Sequence, residues 1–357
     1  MKILFFALSI VSCIVLKAQK PFYINGSYLG ENANNLSGGI KTSSVYLGMA
    51  ALQLGFETEK AGWWKNGQFF VFMANTHGAS PSENLVGDRQ IVSNIDAGSH
   101  SYIQELWIKQ GFGKVELTVG VQDLNVEFAN SEYGSLFSNS SFGILPIISN
   151  NISASIFPLT TLGLTVKWKV SDNVTWLNAL YDGSPTDFDF NPYNIIWEFI
   201  SGDGMLAISE CQYKTRFNEL SGVYKVGAFS HNHLLEKIIG TTLPDSLMKH
   251  VFGLYVYGDQ EVWVRNNSKV GIFLQFGYSS GEIINSDYYL GMGANFTGLF
   301  NAKGRDILGL AMAHEQYTHG FKSETAVELT YQYQFSDHFF VQPEFQYVIN
   351  PSDWVSI

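Results

Sequence analysis

The chain has 357 residues, of which 15% are charged and 15% aromatic, with 34 Gly and a formal net charge of −11. Beyond residue 16 no apolar run approaches the roughly 20 residues that a membrane helix needs, so a helical membrane protein is excluded, and the aromatic content excludes disorder. An acidic chain without a basic cluster is no nucleic-acid binder. What survives is a β-rich protein whose apolar residues are dispersed in alternation, and the outer-membrane barrel is the main member of that class.

Met1-Lys2, the apolar run Ile3 to Leu16 and then Lys17-Ala18-Gln19 read as a removable signal peptide, residues 1–18, cut after Ala18. Its loss takes Lys2 and Lys17 away and leaves 19 Lys and Arg against 32 Asp and Glu, a net −13. Cys13 follows a poor lipobox, and Cys211 is then the one mature cysteine, so no internal disulfide forms. Residues 19–357 are expected to form a single barrel domain.

Strands are expected near 22–37, 42–58, 66–75, 100–111, 114–124, 159–170, 173–182 and 202–214. Others follow near 221–231, 250–263, 268–278, 287–299, 305–315, 323–335 and 338–350. In 324–335 the outward set is Thr325, Val327, Leu329, Tyr331, Tyr333 and Phe335, and the inward set is Glu324, Glu328, Thr330, Gln332 and Gln334. The last segment repeats this, with Val341, Phe345, Tyr347 and Ile349 set against Gln342, Glu344 and Gln346. Connections after even-numbered strands are tight, as at Ser171-Asp172 and Ser336-Asp337. Those after odd-numbered strands are long, notably 76–99, 125–158, 183–201 and 232–249. A soluble sandwich has no reason to sort its loops this way, whereas an outer-membrane barrel keeps short turns on one side and long loops outside the cell. The fold class is therefore an all-β transmembrane antiparallel barrel. Fifteen strands is odd; Trp354-Val355-Ser356-Ile357 begins another after a turn, so sixteen strands are expected with the last one cut short.

Several stretches resemble the carbohydrate-selective porins of the OprB family. The most specific is Asn130-Ser131-Glu132-Tyr133-Gly134-Ser135-Leu136-Phe137-Ser138-Asn139-Ser140-Ser141-Phe142-Gly143-Ile144. Also similar are His77 to Asp88, Tyr181-Asp182-Gly183, Asp287 to Gly291, and the run from Gln342 to Pro351. The resemblance implies a sixteen-stranded outer-membrane channel for passive diffusion of mono- and oligosaccharides, with loops folded inward to narrow the pore. The alternative on the same fold is a general diffusion porin.

Such a channel needs no nucleophile and no cofactor. It needs a narrowing whose polar groups replace the hydration of sugar hydroxyls. The third long loop offers Glu127, Asn130, Glu132, Tyr133, Asn139 and Phe142, and the second Glu83, Asp88 and Arg89. A lid packed outside the lumen is the competing reading for the third. Glu105, Lys109, Glu116, Lys167, Glu324, Glu328 and Glu344 are expected to line a wet wall, where charge costs little. Trp63, Trp64, Trp168, Trp176 and Trp263 read as interface girdle. His314-Glu315 with His319 lacks zinc-protease spacing, His231 and His233 lack a third ligand, and Asp187 with Asp189 lacks a calcium loop's spacing, so no metal is expected. The partners are small sugars and outer-membrane lipid, with monomer and homotrimer both open.

Overall fold

In hydrocarbon every strand must satisfy its backbone hydrogen bonds on both edges, so alternating strands have to close on themselves. The computed structural model shows this closure and describes residues 2–16, 21–199, 202, 204–234, 248–281, 284–301, 303–318 and 322–351. The first eight strands are β1 (Lys2–Leu16), β2 (Phe22–Ser37), β3 (Ser44–Glu57), β4 (Gly67–Gly78), β5 (His100–Phe112), β6 (Val115–Gln122), β7 (Thr161–Lys169) and β8 (Val174–Asp182). The rest are β9 (Met205–Phe217), β10 (Leu220–Leu234), β11 (Met248–Arg265), β12 (Ser268–Gly281), β13 (Ser286–Thr297), β14 (Asp306–Tyr317), β15 (Glu324–Ser336) and β16 (Phe339–Ile349). Each pairs antiparallel with its sequence neighbours, and β1 pairs with β16 to close a sixteen-stranded barrel. The fifteen strands expected from the sequence are β2 to β16.

The sixteenth strand differs from the expectation. The apolar run expected as a leader lies in the barrel as β1, in register with β16 from Lys2↔Ile349 and with β2 down to Leu16↔Ile24. Trp354 to Ile357, expected to begin the last strand, lie outside the described residues. The same uncharged, bulky sequence suits a leader and a lipid-facing strand alike. Its inward Ile3, Phe5 and Ala7 are buried and its outward Leu4 and Ile10 exposed.

Short turns gather at one end. At Asn218-Glu219 both central residues have positive φ, 49° and 68°, as a two-residue hairpin turn matched to strand twist requires. The long loops gather at the other end: L2 (79–99), L3 (123–160) and L4 (183–204). Strands β6, β7 and β8 are short, at 8, 9 and 9 residues, so the upper part of β5 has no β6 beside it. L4 fills that notch. Ile103 N–H donates to the Tyr193 carbonyl at 3.0 Å, and Asn194 Nδ2 donates to the carbonyls of Ile103 and Thr160 at 2.9 and 3.0 Å.

The outer face follows the alternation, with Val119, Val226, Leu329 and Phe345 all exposed. Arg in place of Val226 is expected to destabilise the barrel by roughly 2–4 kcal/mol at the bilayer midplane. Arg in place of the inward Val223, which borders open lumen, should be tolerated. Denaturant unfolding in liposomes checks this; equal losses at both positions would overturn the assignment of faces.

Candidate functional site

L3 begins where β6 ends. Asp123 caps the short helix α1 (Leu124–Glu127), its Oδ1 accepting from Asn125 N–H at 2.9 Å. Burial pushes the Asp123 carboxyl up to about 6. L3 then carries Phe128, Phe137, Phe142, Leu145, Ile147 and Ile148, all essentially buried. Exposed to water these side chains would forfeit about 1.5–3 kcal/mol each, so the loop folds back onto the wall. The wall is shaped to take it. A Cβ on Gly271 would stand 2.2 Å from the Tyr133 ring, one on Gly277 2.5 Å from Ile147, and one on Gly309 2.7 Å from Leu136. These inward glycines of β12 and β14 make a shallow bed, where the Phe137, Phe142 and Phe273 rings pack with centroids 5.0–5.9 Å apart.

An irregular loop buried in a lumen brings unpaired backbone groups that need partners. Wall carboxylates take the donors. Glu210 accepts from Ala129 N–H at 2.8 Å, and Asp259 from Ser131 Oγ and Tyr133 N–H at 2.6 and 3.1 Å. Glu328 accepts from Ser138 and Asn139 N–H at 2.9 and 3.0 Å, and Glu344 from the Ser138 hydroxyl. Glu324 accepts from Arg89 and Gln90 N–H of L2, and Glu31 from Ser93 Oγ at 2.6 Å. Wall amides take the carbonyls: Gln275 donates to Phe142 O at 2.8 Å, Asn295 to Tyr133 O at 2.9 Å and Gln342 to Leu136 O at 2.8 Å. The wet-wall expectation is therefore corrected for Glu324, Glu328 and Glu344. They are fully buried and hold loops in place, because a carboxylate with several lone pairs can collect two donors at once.

The expected narrowing residues divide in the same way. Asn139 and Phe142 are fully buried, and Tyr133 and Glu105 are 6% exposed, so all four face protein more than permeant. Asp88 is buried too, and desolvation near the Glu324 carboxylate holds its carboxyl well above the usual range. Arg89 lies with its guanidinium 5.1 Å from the Tyr317 ring centroid, and Glu83 is exposed on L2. Glu127, Asn130 and Glu132 do meet open space. With Gln212, Lys214 and Lys225 they border a cavity of about 550 Å³. Glu127 reaches Lys167 at 2.7 Å and Lys109 at 3.8 Å. Lys225 Nζ donates to Asn130 Oδ1 at 2.6 Å, and Lys269 lies 4.0 Å from Glu132. The open lining thus mixes both signs. A second cavity of about 450 Å³ opens at the turn end, bordered by Glu57, Gln68, Lys109 and Glu116.

The sequence reading passed over Trp107. It shares the inward parity of Glu105 and Lys109, which was the signal available. Its ring stacks on Phe70 at 4.8 Å and 26°, and its Nε1 donates to Glu105 Oε1 at 3.3 Å. Trp63, Trp64, Trp168, Trp176 and Trp263 are all exposed on the barrel's outside or its rims. His314 and Glu315 lie on opposite faces of β14, and His319 is outside the described residues. Among the described residues no three His, Cys, Asp or Glu side chains gather as a metal site.

A closed barrel of sixteen strands, loops sorted by length and a third loop laid inside the lumen define an outer-membrane diffusion porin. A family model described as "Carbohydrate-selective porin, OprB family" matches residues 41–355, and the chain belongs to that family. It is an outer-membrane channel through which carbohydrates diffuse passively. QuiX of Acinetobacter baylyi, named as a porin, is 22% identical over 94% of this chain and 85% of its own length. Pseudomonas putida OprB in its high-pH structure superposes with a TM-score of 0.74 at 15% identity, covering 98% of this chain and 94% of that one. The low-pH structure of the same protein gives 0.52 at 13% identity, covering 98% and 92%.

Proposed function

We propose that the permeant sugar passes between the open face of L3 and the wall of β4 to β7 and β9 to β10, with Glu127, Asn130 and Glu132 as the loop's contribution to the narrowing. The observation that carries this reading is the division of the inward face. Inward positions under L3 are small, apolar or bound to loop backbone, whereas Gln68, Lys109, Glu116 and Lys214 are long, polar and bordered by cavity. Lining groups of both signs offer donors and acceptors to hydroxyls without a strong field against neutral solutes. The protein then works as a sugar-preferring channel rather than as an enzyme. Planar-bilayer recordings with added mono- and disaccharides test this. Saturable block by sugar supports it; flux that falls only with solute size would make the protein a general porin.

We also propose that residues 1–18 serve as the export leader, in which case another strand takes the place of β1 between β2 and β16. Intact mass of the protein extracted from outer membranes decides the matter: loss of 1–18 supports a leader, and retention makes Lys2–Leu16 a permanent wall strand.

A further inference from the structure

We propose that the outer face of L4 is a seat for an outer-leaflet lipid, one acyl chain of which lies in a groove between that loop and the wall of β3 to β5. L4 turns large apolar side chains away from the protein, so what covers it has to be apolar. Residues 190–197 carry no charge, and Phe190, Tyr193, Ile195 and Ile196 are each more than half exposed. Exposed apolar patches of this kind mark contact with another apolar body rather than with water. The same loop hides its polar groups. Asn191 and Asn194 are each 1% exposed. Asn191 Oδ1 accepts from the N–H groups of Ile195 and Ile196 at 3.0 and 3.2 Å, and its Nδ2 donates to the Ile196 carbonyl at 2.7 Å. Asn194 is bonded to the free edge of β5. This stretch of irregular backbone therefore carries its own partners, which is the condition that hydrocarbon sets for a chain entering it.

The groove shows which part of the lipid fits. It has a volume of about 440 Å³, a floor of Ala50, Leu52, Met73 and Ile103, and a far wall of Tyr193 and Ile195 from L4. Leu52, Met73 and Ile103 are paired across β3, β4 and β5, so the groove continues the barrel's lipid-facing surface. At its outer end the character changes. Asn75 Nδ2 donates to Ser101 Oγ at 2.7 Å, and His77 Nδ1 donates to Asn75 Oδ1 at 3.1 Å. The Tyr28 hydroxyl is bonded to His77 Nε2 at 3.1 Å. An apolar slot that runs into a row of amide, hydroxyl and imidazole groups matches an outer-leaflet lipid, its chain toward the midplane and its head toward the outside. A second copy of the barrel would present a convex wall, which cannot follow the slot under L4.

The test places a bimane label at Ile195→Cys, in the full chain with Cys13 and Cys211 replaced by serine. The protein is reconstituted in phosphatidylcholine vesicles that carry a nitroxide on the acyl chain. Leu329→Cys on the lipid-facing wall and Glu83→Cys on exposed L2 set the two limits. Loss of emission at Ile195 that matches the loss at Leu329, with aqueous iodide quenching only Glu83, supports the seat. Quenching by iodide but not by nitroxide makes L4 a water-facing loop and overturns it. Protection from both quenchers means that protein covers L4, and it overturns the lipid in favour of a second copy. Ala50→Trp fills the slot and probes the groove itself. It should lower nitroxide quenching at Ile195 and leave that at Leu329 unchanged; equal quenching with and without the indole refutes a chain in the groove. Should Ile195→Cys fail to fold, the label moves to Tyr193→Cys with the same expectations.

Discussion

Replacing residues 130–142 with a short Gly/Ser link is expected to raise single-channel conductance severalfold and to weaken block by sugar. That segment carries Phe137 and Phe142 on the glycine bed, so its loss uncovers the inner face of β12 to β14 and widens the lumen. It also removes the donors that now occupy Asp259, Glu328 and Glu344. Three carboxylates would then face water, and the reversal potential in a salt gradient should move toward cation preference. A net charge of −13 on residues 19–357 would by itself favour a negative pore, but in the native channel these groups are spent on the loop. Unchanged conductance and unchanged block together would mean that L3 does not limit the path.

Glu328→Ala isolates one anchor. It leaves the Ser138 and Asn139 N–H groups buried without their acceptor, at about 1–3 kcal/mol for each group. The barrel's own ladders are untouched, so heat-resistant migration on gels should persist while current recordings become noisier and conductance rises. Glu328→Gln keeps a carbonyl oxygen and should fall between the two. A silent alanine variant would show that the apolar bed alone holds L3.

Much of the fold was legible because a period of two survives translation into three dimensions without loss. Leu329 and Phe345 were read outward and Glu328 and Glu344 inward, and the structure places them so. Parity does not say what the inward face meets. Glu328 and Glu344 of β15 and β16 and Glu116 of β6 look alike in sequence, yet the first two are dry and the third borders a cavity. A subtler signal was available in the inward positions of β12 and β14. Gly271, Gly277 and Gly309 leave room that water has no use for, and the apolar residues of L3 needed such a place. Trp107 was legible from its parity and was passed over because the other tryptophans belong to the outside. The run Ile3 to Leu16 was ambiguous in principle, since an export leader and a lipid-facing strand draw on the same side chains.

The anchors of L3 also impose an order on assembly. L3 follows β6, but its acceptors come from far downstream. The separation is 81 residues for Ala129 and Glu210, 190 for Ser138 and Glu328, and 206 for Ser138 and Glu344. Contacts so distant in sequence form late, after the chain between them is in place. L3 therefore cannot seat while the barrel is being built strand by strand, and its bed is complete only once β14 to β16 have joined. Closure itself waits for β16 to meet β1, so the wall is sealed and its filter seated in the same last stage.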